Sequence, residues 1–163
     1  MDVTALASVY DSLIAQADVI TEATALPAAA RADVDWRLCH IALADRIIAA
    51  AAREQIDQGT ATVDNQPSMD PDRIKHMTRS TTHAQRVDNV RRNWAELRSL
   101  LARFSPADAQ AQLTLRMHDR NGEYVSDSVL TWSELIEMRA TRHIPGHRDA
   151  LAQAVRPASR QAH

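Results

Sequence analysis

Apolar side chains recur every three to four residues in four segments of the chain, which is the spacing of one face of an α-helix. The segments predict helices over residues 4–24, 34–58, 70–105 and 131–154. The apolar stripe of the first consists of Leu6, Tyr10, Leu13, Ala17 and Ile20, and that of the second of Trp36, His40, Leu43, Ile47 and Ala51. The stripe of the third consists of His76, Ser80, His83, Val87, Val90, Trp94, Leu97 and Leu101. Two of these stripes therefore carry histidines among core positions.

Residues that favour helix ends support these boundaries. Asp33 is suited to cap the start of the second helix, and Gly59 follows its end. The Asp-Pro pair at 70–71 places a capping side chain before a proline at the first helical position. Thr131 and Glu134 have the spacing of a capping box at the start of the fourth helix.

A stretch of different character separates the third and fourth helices. Leu113, Leu115 and Met117 alternate with polar residues, and Asn121-Gly122 is typical of a tight turn. We interpret this stretch as a short hairpin or an ordered loop. The pattern as a whole predicts an all-α four-helix bundle of one domain over residues 1–155, with a frayed C-terminal tail at 156–163.

Composition excludes several classes of function. The 163 residues carry a net charge of −2 without a long run of like charge, so the basic face that nucleic acids require is missing. Three glycines disfavour a Gly-rich phosphate loop. The most apolar run, residues 41–52, contains Asp45 and Arg46 and is too short to cross a membrane. With Cys39 as the single cysteine and no N-terminal signal pattern, we expect a cytoplasmic protein.

The last helix contains the most distinctive chemistry of the chain. His143 and His147 are four residues apart, so their imidazoles lie on one helical face and can converge on one metal ion. Pro145 between them removes a backbone donor and predicts a bend that could re-aim the imidazoles. The alternative is that the helix breaks at Ile144 and leaves two surface histidines.

Further candidates lie on the second and third helices. His40, on the apolar face of the second helix, is either a third ligand from a facing helix or a buried neutral histidine with a hydrogen-bond partner. His83 is a reserve ligand or a partner to one. Cys39 is rotated by about 100° from His40 and is expected to be a buried apolar side chain.

Three more residues flank the predicted ligands. Arg139 precedes His143 by one turn, and Arg37 precedes His40 by one turn, so either could contact an anionic substrate or simply extend along the surface. Trp36 could form a wall of the pocket or be part of the core. No residue is assigned a catalytic role at this stage.

Three motifs together resemble the DinB/YfiT-like superfamily of small metal-binding four-helix bundles. They are WRLCHIALADR at 36–46, TWSELIEMRATRH at 131–143 and HIPGH at 143–147. The resemblance spans nearly the whole chain, although the first helix and the hairpin region match in character alone. It implies that His40, His143 and His147 hold one divalent ion. Relatives often have another histidine where this chain has Gly146.

The resemblance also implies an activity. Its characterised members include thiol-dependent transferases and isomerases that use mycothiol or bacillithiol, and the arginine-rich composition favours a mycothiol-producing actinobacterium. Three neutral imidazoles suit zinc, nickel, copper or iron(II), of which we expect zinc or nickel first. The partners expected are a small-molecule substrate and a low-molecular-weight thiol, with no nucleic acid and no membrane, and a homodimer is compatible with this size. Two alternatives stay open: a metal-dependent hydrolase or lyase of a specialised pathway, and a non-catalytic stress protein whose ion only joins helices.

Overall fold

The computed structural model describes residues 1–156 and shows an α+β fold, so the prediction of an all-α four-helix bundle is wrong. The α-helices are α1 Thr4–Asp18, α2 Ala28–Gln58, α3 Gln66–Met69, α4 Pro71–Ser80, α5 His83–Leu101, α6 Pro106–Gln110, α7 Trp132–Met138 and α8 Ile144–Ala154. The strands are β1 Thr62–Asp64, β2 Gln112–His118 and β3 Tyr124–Thr131, and a π-helical turn, Arg139–His143, joins α7 to α8.

A three-stranded mixed sheet stands where a hairpin or loop was predicted. β2 and β3 form the hairpin, and β1 pairs in parallel with the other side of β2. Leu113 and Leu115 point from β2 into the core, as their alternation predicts, and Val63 lies beside Leu115 in the parallel pair. β1 has three residues and is therefore too short to show an alternation of its own in the sequence, and it forms by pairing with the free edge of β2.

The third predicted helix is two helices with a break at Thr81. Thr82 caps α5 through a capping box with Gln85, and Thr81 is extended. Arg86 reaches back from α5 to the carbonyl groups of Thr78 and Thr81, which lack helical partners at the break. The capping of α4 by Asp70 is confirmed, since its carboxylate accepts from two backbone amides.

The first two helices differ from prediction at one end each. α1 ends at Asp18, and α2 begins at Ala28, so Asp33 lies inside the helix, where its carboxylate bonds to Arg37. The predicted end of α2 is confirmed: Gly59 has a φ of +73°, a conformation that side chains disfavour, and its N–H donates to the carbonyl of Gln55.

The last helical segment is continuous from Trp132 to Ala154. Thr131 and Glu134 form the predicted capping box at its start. The π-helical turn lies directly before α8, where Ile144 donates to the carbonyl of Arg139, five residues back. Pro145, the second residue of α8, therefore follows a widened turn instead of a break.

The core lies between α2 and the elements around it. α1, α5, α8 and the inner face of the sheet pack against α2 or against each other, with Tyr10, Leu38, Leu97 and Trp132 fully buried. Among residues 1–156, no helix has the length and apolarity needed to cross a membrane. Apart from Arg156, the predicted frayed tail lies outside the described residues.

Candidate metal centre

The structure brings His40, His143 and His147 together in one cluster that could hold a divalent ion. His40 comes from the middle of α2, His143 ends the π-helical turn, and His147 lies one turn further in α8. One nitrogen from each ring lies within 4.8 Å of the other two. His40 Nε2 and His143 Nε2 are 3.2 Å apart. Two nitrogens on one tetrahedral zinc ion would be roughly 3.4 Å apart, so the spacing of this pair fits.

The hydrogen bonding of His40 prepares its other nitrogen for a metal. His40 Nδ1 lies 2.9 Å from the backbone carbonyl oxygen of Ser68. Because a carbonyl can only accept, Nδ1 carries the proton and Nε2 keeps its lone pair. A second nitrogen donating to a backbone carbonyl is the usual support of a metal-ligating histidine. Ser68 itself is completely buried in α3, which holds this carbonyl in place.

Aromatic contact fixes the ring of His40 from another side. The Trp36 ring stacks on the His40 ring at 4.8 Å between centroids, with 8° between their planes. The guanidinium of Arg120, from the turn between β2 and β3, lies 3.7 Å from the Trp36 centroid. Trp36 therefore covers one face of the His40 ring.

Two arginines contact the nitrogens of the other histidines. Arg37 Nη1 lies 3.1 Å from His147 Nδ1 while its Nε donates to Asp33 at 2.6 Å. Arg139 Nη1 lies 3.5 Å from His143 Nδ1. Of these two arginines, Arg139 is buried, whereas Arg37 is partly exposed and can contact a substrate that arrives from solvent.

A buried polar network holds Arg139 in place. Its guanidinium donates to the Asp45 carboxylate and to the Tyr10 hydroxyl, and Tyr10 donates to Asp45 at 2.5 Å. Burial raises the pKa of Asp45 to about 6, against the opposing effect of Arg139. Asp45 is thus predominantly ionised at neutral pH, and α1, α2 and the π-helical turn are joined by one buried ion pair.

All three histidines of the cluster are held in the neutral form that metal binding requires. Burial, reinforced by nearby arginines, lowers the pKa of His40 to about 4 although its bond to Ser68 opposes this. Burial also lowers the pKa values of His143 and His147, with additional repulsion from Arg139 and from the neighbouring histidines.

These shifts predict a pH dependence of the metal-free chain. An unfolded histidine titrates near 6.5, so between that value and about 4 the unfolded state binds a proton at His40 that the folded state does not. The free energy of unfolding is therefore expected to fall as the pH is lowered through this window, by roughly 3 kcal/mol for His40 alone.

Urea unfolding of the chelator-treated protein at several pH values measures this effect. The His40→Gln variant should lose less stability across the window than wild type. His76→Gln is the matched control, because His76 is exposed and should leave the pH dependence unchanged. Equal pH dependence in all three proteins would contradict the prediction.

Two other sequence candidates lie outside the cluster. His83 is buried at the start of α5, where its Nε2 lies 2.9 Å from the carbonyl oxygen of Ala17, so it helps to join α5 to α1. Cys39 is a buried thiol 3.6 Å from the Thr78 hydroxyl, and burial raises its pKa. The expectation of a buried, non-ligating cysteine agrees with this position.

Several site residues carried no clear sequence signal. Ser68 contributes through its backbone carbonyl, which no side-chain pattern reports. Arg120 lies in a turn more than 80 positions after Asp33 and Trp36, the two side chains that it contacts. In the sequence, Asp45 interrupts an apolar run and Tyr10 belongs to an apolar stripe. A polar group on a buried helical face needs a hydrogen-bond partner, and this was the one signal that could have linked them to Arg139.

A small cleft of about 70 Å³ opens beside the cluster. His40 and His143 line it, together with Arg139, the sheet and one side of α2 and α7. This volume is smaller than that of a typical pocket for a whole small molecule, and it suits a small group of a ligand. An ion on the three histidines would therefore be next to space that a ligand can enter.

Comparisons of the chain with protein-family models, with curated proteins and with solved structures each found no match.

Proposed function

We propose that this protein is a metal-dependent enzyme that transfers a low-molecular-weight thiol to a small electrophile, or uses it in an isomerisation. The observation that carries the proposal is the cleft that reaches His40 and His143. An ion that only joined helices would need a closed set of ligands, whereas three protein ligands beside a cleft leave a coordination position for a substrate. This favours an enzyme over the purely structural role.

The residues present fit a divalent ion. Three neutral imidazoles from two chain segments converge, and one has its proton fixed on the nitrogen that faces away. Imidazole ligands suit zinc, nickel, copper and iron, and from these we propose zinc or nickel. When bound, such an ion is a Lewis acid that lowers the pKa of a ligating thiol or water.

The chain's own residues provide binding and orientation. Arg37 and Arg120 share the Asp33 carboxylate. Arg37 contacts His147 Nδ1, and Arg120 lies over the Trp36 ring that stacks on His40. Together with the pair of Arg139 and Asp45, the cluster has three guanidinium groups and two carboxylates around it. This excess of positive charge favours an anionic ligand, such as a deprotonated thiol.

The chemical balance of the transfer is simple. The thiol loses its proton to solvent, its sulfur forms a bond to an electrophilic carbon, and the leaving group departs with the electron pair of the bond that breaks. In the isomerase form the sulfur adds to a double bond and later leaves again. We propose mycothiol as the thiol on the resemblance of the sequence motifs to the DinB/YfiT-like superfamily.

A conjugation assay tests the proposal. Zinc- or nickel-loaded protein is mixed with mycothiol and chlorodinitrobenzene, and the thioether product and released chloride are measured. We expect His147→Ala to lose at least about 100-fold of the rate, because removal of a ligand should exceed the loss seen for outer-shell residues. His76→Ala should keep the wild-type rate.

Two outcomes would contradict the proposal. One is a rate that is equal with and without loaded metal. The other is thiol-independent hydrolysis of an activated ester by the loaded protein, lost in His147→Ala, with no conjugation under the same conditions, which would favour the hydrolase alternative.

A further inference from the structure

The cleft beside the cluster has a strongly apolar lining. Helix α2 contributes one wall, β1 and β2 a second, and α7 a third. The apolar lining residues are Ala44, Ile47, Ile48, Val63, Leu115, Met117, Leu135 and Met138. A surface of this kind binds ligands mainly by excluding water from apolar groups.

The polar groups of the lining are largely occupied within the protein. The Ser68 hydroxyl donates to the carbonyl of Asn65 at 2.8 Å, and the Asn65 side chain bonds to the backbone of His118 in both directions. The guanidinium of Arg139 is committed to Asp45 and Tyr10, although its Nε is buried without a partner. A ligand rich in hydroxyl or charged groups would lose water here without gaining equivalent bonds.

Two of the three basic residues of the centre, Arg37 and Arg120, lie outside the cleft. Trp36, Arg37 and His147 do not line the cleft, and Arg37 and Arg120 meet at Asp33. The cluster is thus flanked by two chemically different surroundings. One is apolar and touches His40 and His143, and the other is cationic and touches His147.

We propose that the cleft binds a small, uncharged, apolar group of about three carbon atoms, whose reactive atom lies at His40 and His143. This assignment rests on the proposed function and names its substrate class: a polar or anionic co-substrate enters from the side of Arg37, and the apolar group of the other reactant occupies the cleft. A sugar-containing thiol therefore keeps its polar body out of the cleft.

Paired thiols of similar size test the assignment by calorimetry on zinc-loaded protein. Propanethiol is expected to bind at least about tenfold more tightly than mercaptoethanol, because it places a methyl group in the apolar cleft where mercaptoethanol would place a hydroxyl group without a partner. Ala44→Leu places three more carbon atoms in the cleft and should reduce this ratio to near one. Ala50→Leu is the matched control: the same change at an exposed position of α2, where the ratio should stay at the wild-type value.

A second variant and a metal-free measurement keep the outcomes separate. Ile47→Phe, at a partly exposed lining position, replaces Ala44→Leu if the latter does not fold. Propanethiol is titrated into chelator-treated protein and followed by NMR. Binding that Ala44→Leu or Ile47→Phe abolishes supports the cleft assignment even if zinc does not bind and the proposed function fails. Stoichiometric zinc with equal affinity for the two thiols overturns the cleft assignment and leaves the proposed function standing.

Discussion

Replacing any one of His40, His143 and His147 with alanine is expected to abolish the binding of one divalent ion per chain. The wild-type protein, incubated with zinc or nickel and desalted, should retain one ion by mass spectrometry. Two remaining imidazoles hold an ion much more weakly than three, and the loss should exceed the 10–100-fold typical of outer-shell changes. Each of the three variants should therefore contain almost no metal after desalting.

Thermal unfolding provides an independent measure of the same binding. A ligand present at 100 times its dissociation constant stabilises the folded state by about 2.7 kcal/mol. Zinc should therefore raise the melting temperature of wild type and of His76→Ala, whose altered side chain is exposed and apart from the cluster. The three cluster variants should show no such rise. Metal retention in a cluster variant, or its absence in wild type, would remove the basis of the proposed centre.

Replacing Arg139 with methionine is expected to destabilise the fold by about 3–5 kcal/mol, since it leaves the Asp45 carboxylate buried without its charged partner. Asp45 is completely buried and Arg139 is 3% exposed, so water cannot compensate for the loss. For a chain of this length the change corresponds to a fall of roughly 6–20 °C in melting temperature. Differential scanning calorimetry of the metal-free proteins measures it.

Two comparisons separate the buried charge from ordinary side-chain loss. Arg148→Met removes an arginine whose ion pair with Asp149 is exposed, and should change stability by less than about 1 kcal/mol. A double variant, Asp45→Leu with Arg139→Met, removes both charges and should recover much of the stability lost by the single change. A single variant as stable as wild type would show that the pair does not hold α1, α2 and the π-helical turn together.

The parts of this fold that the sequence predicts are those encoded within one turn or one short pattern. The capping box of Thr131 and Glu134, the cap at Asp70, the glycine after α2 and the alternation of β2 depend on residues three or fewer positions apart, and they occur where expected. The three histidines were also recognised, two by their helical spacing. The third, His40, rested on its apolar face and on the resemblance of its surrounding motif.

The remaining features depend on contacts that are distant in sequence. β1 has three residues and exists because β2 offers it a free edge some 50 positions later. The break at Thr81 is stabilised by Arg86, a buried residue of the next helix. The apolar stripe continues through the break without interruption, so the sequence pattern does not indicate it. Tyr10, Asp45 and Arg139 meet from three segments, and each one alone looks like a core residue or a solvent-exposed charge.

The π-helical turn at Arg139–His143 is equivalent to a one-residue insertion in an α-helix. In a regular helix, the residues on the same face as the buried Leu135 would lie near positions 143 and 150. In this protein the buried residues are Ile144 and Leu151, each one position later. One residue corresponds to about 100° of rotation. A homologue that aligned with a single-residue gap at this turn would keep the histidine-x-x-x-histidine motif and yet present it to a different side of the protein. The position of a gap in such an alignment therefore distinguishes proteins that have this metal centre from proteins that share only the histidine motif.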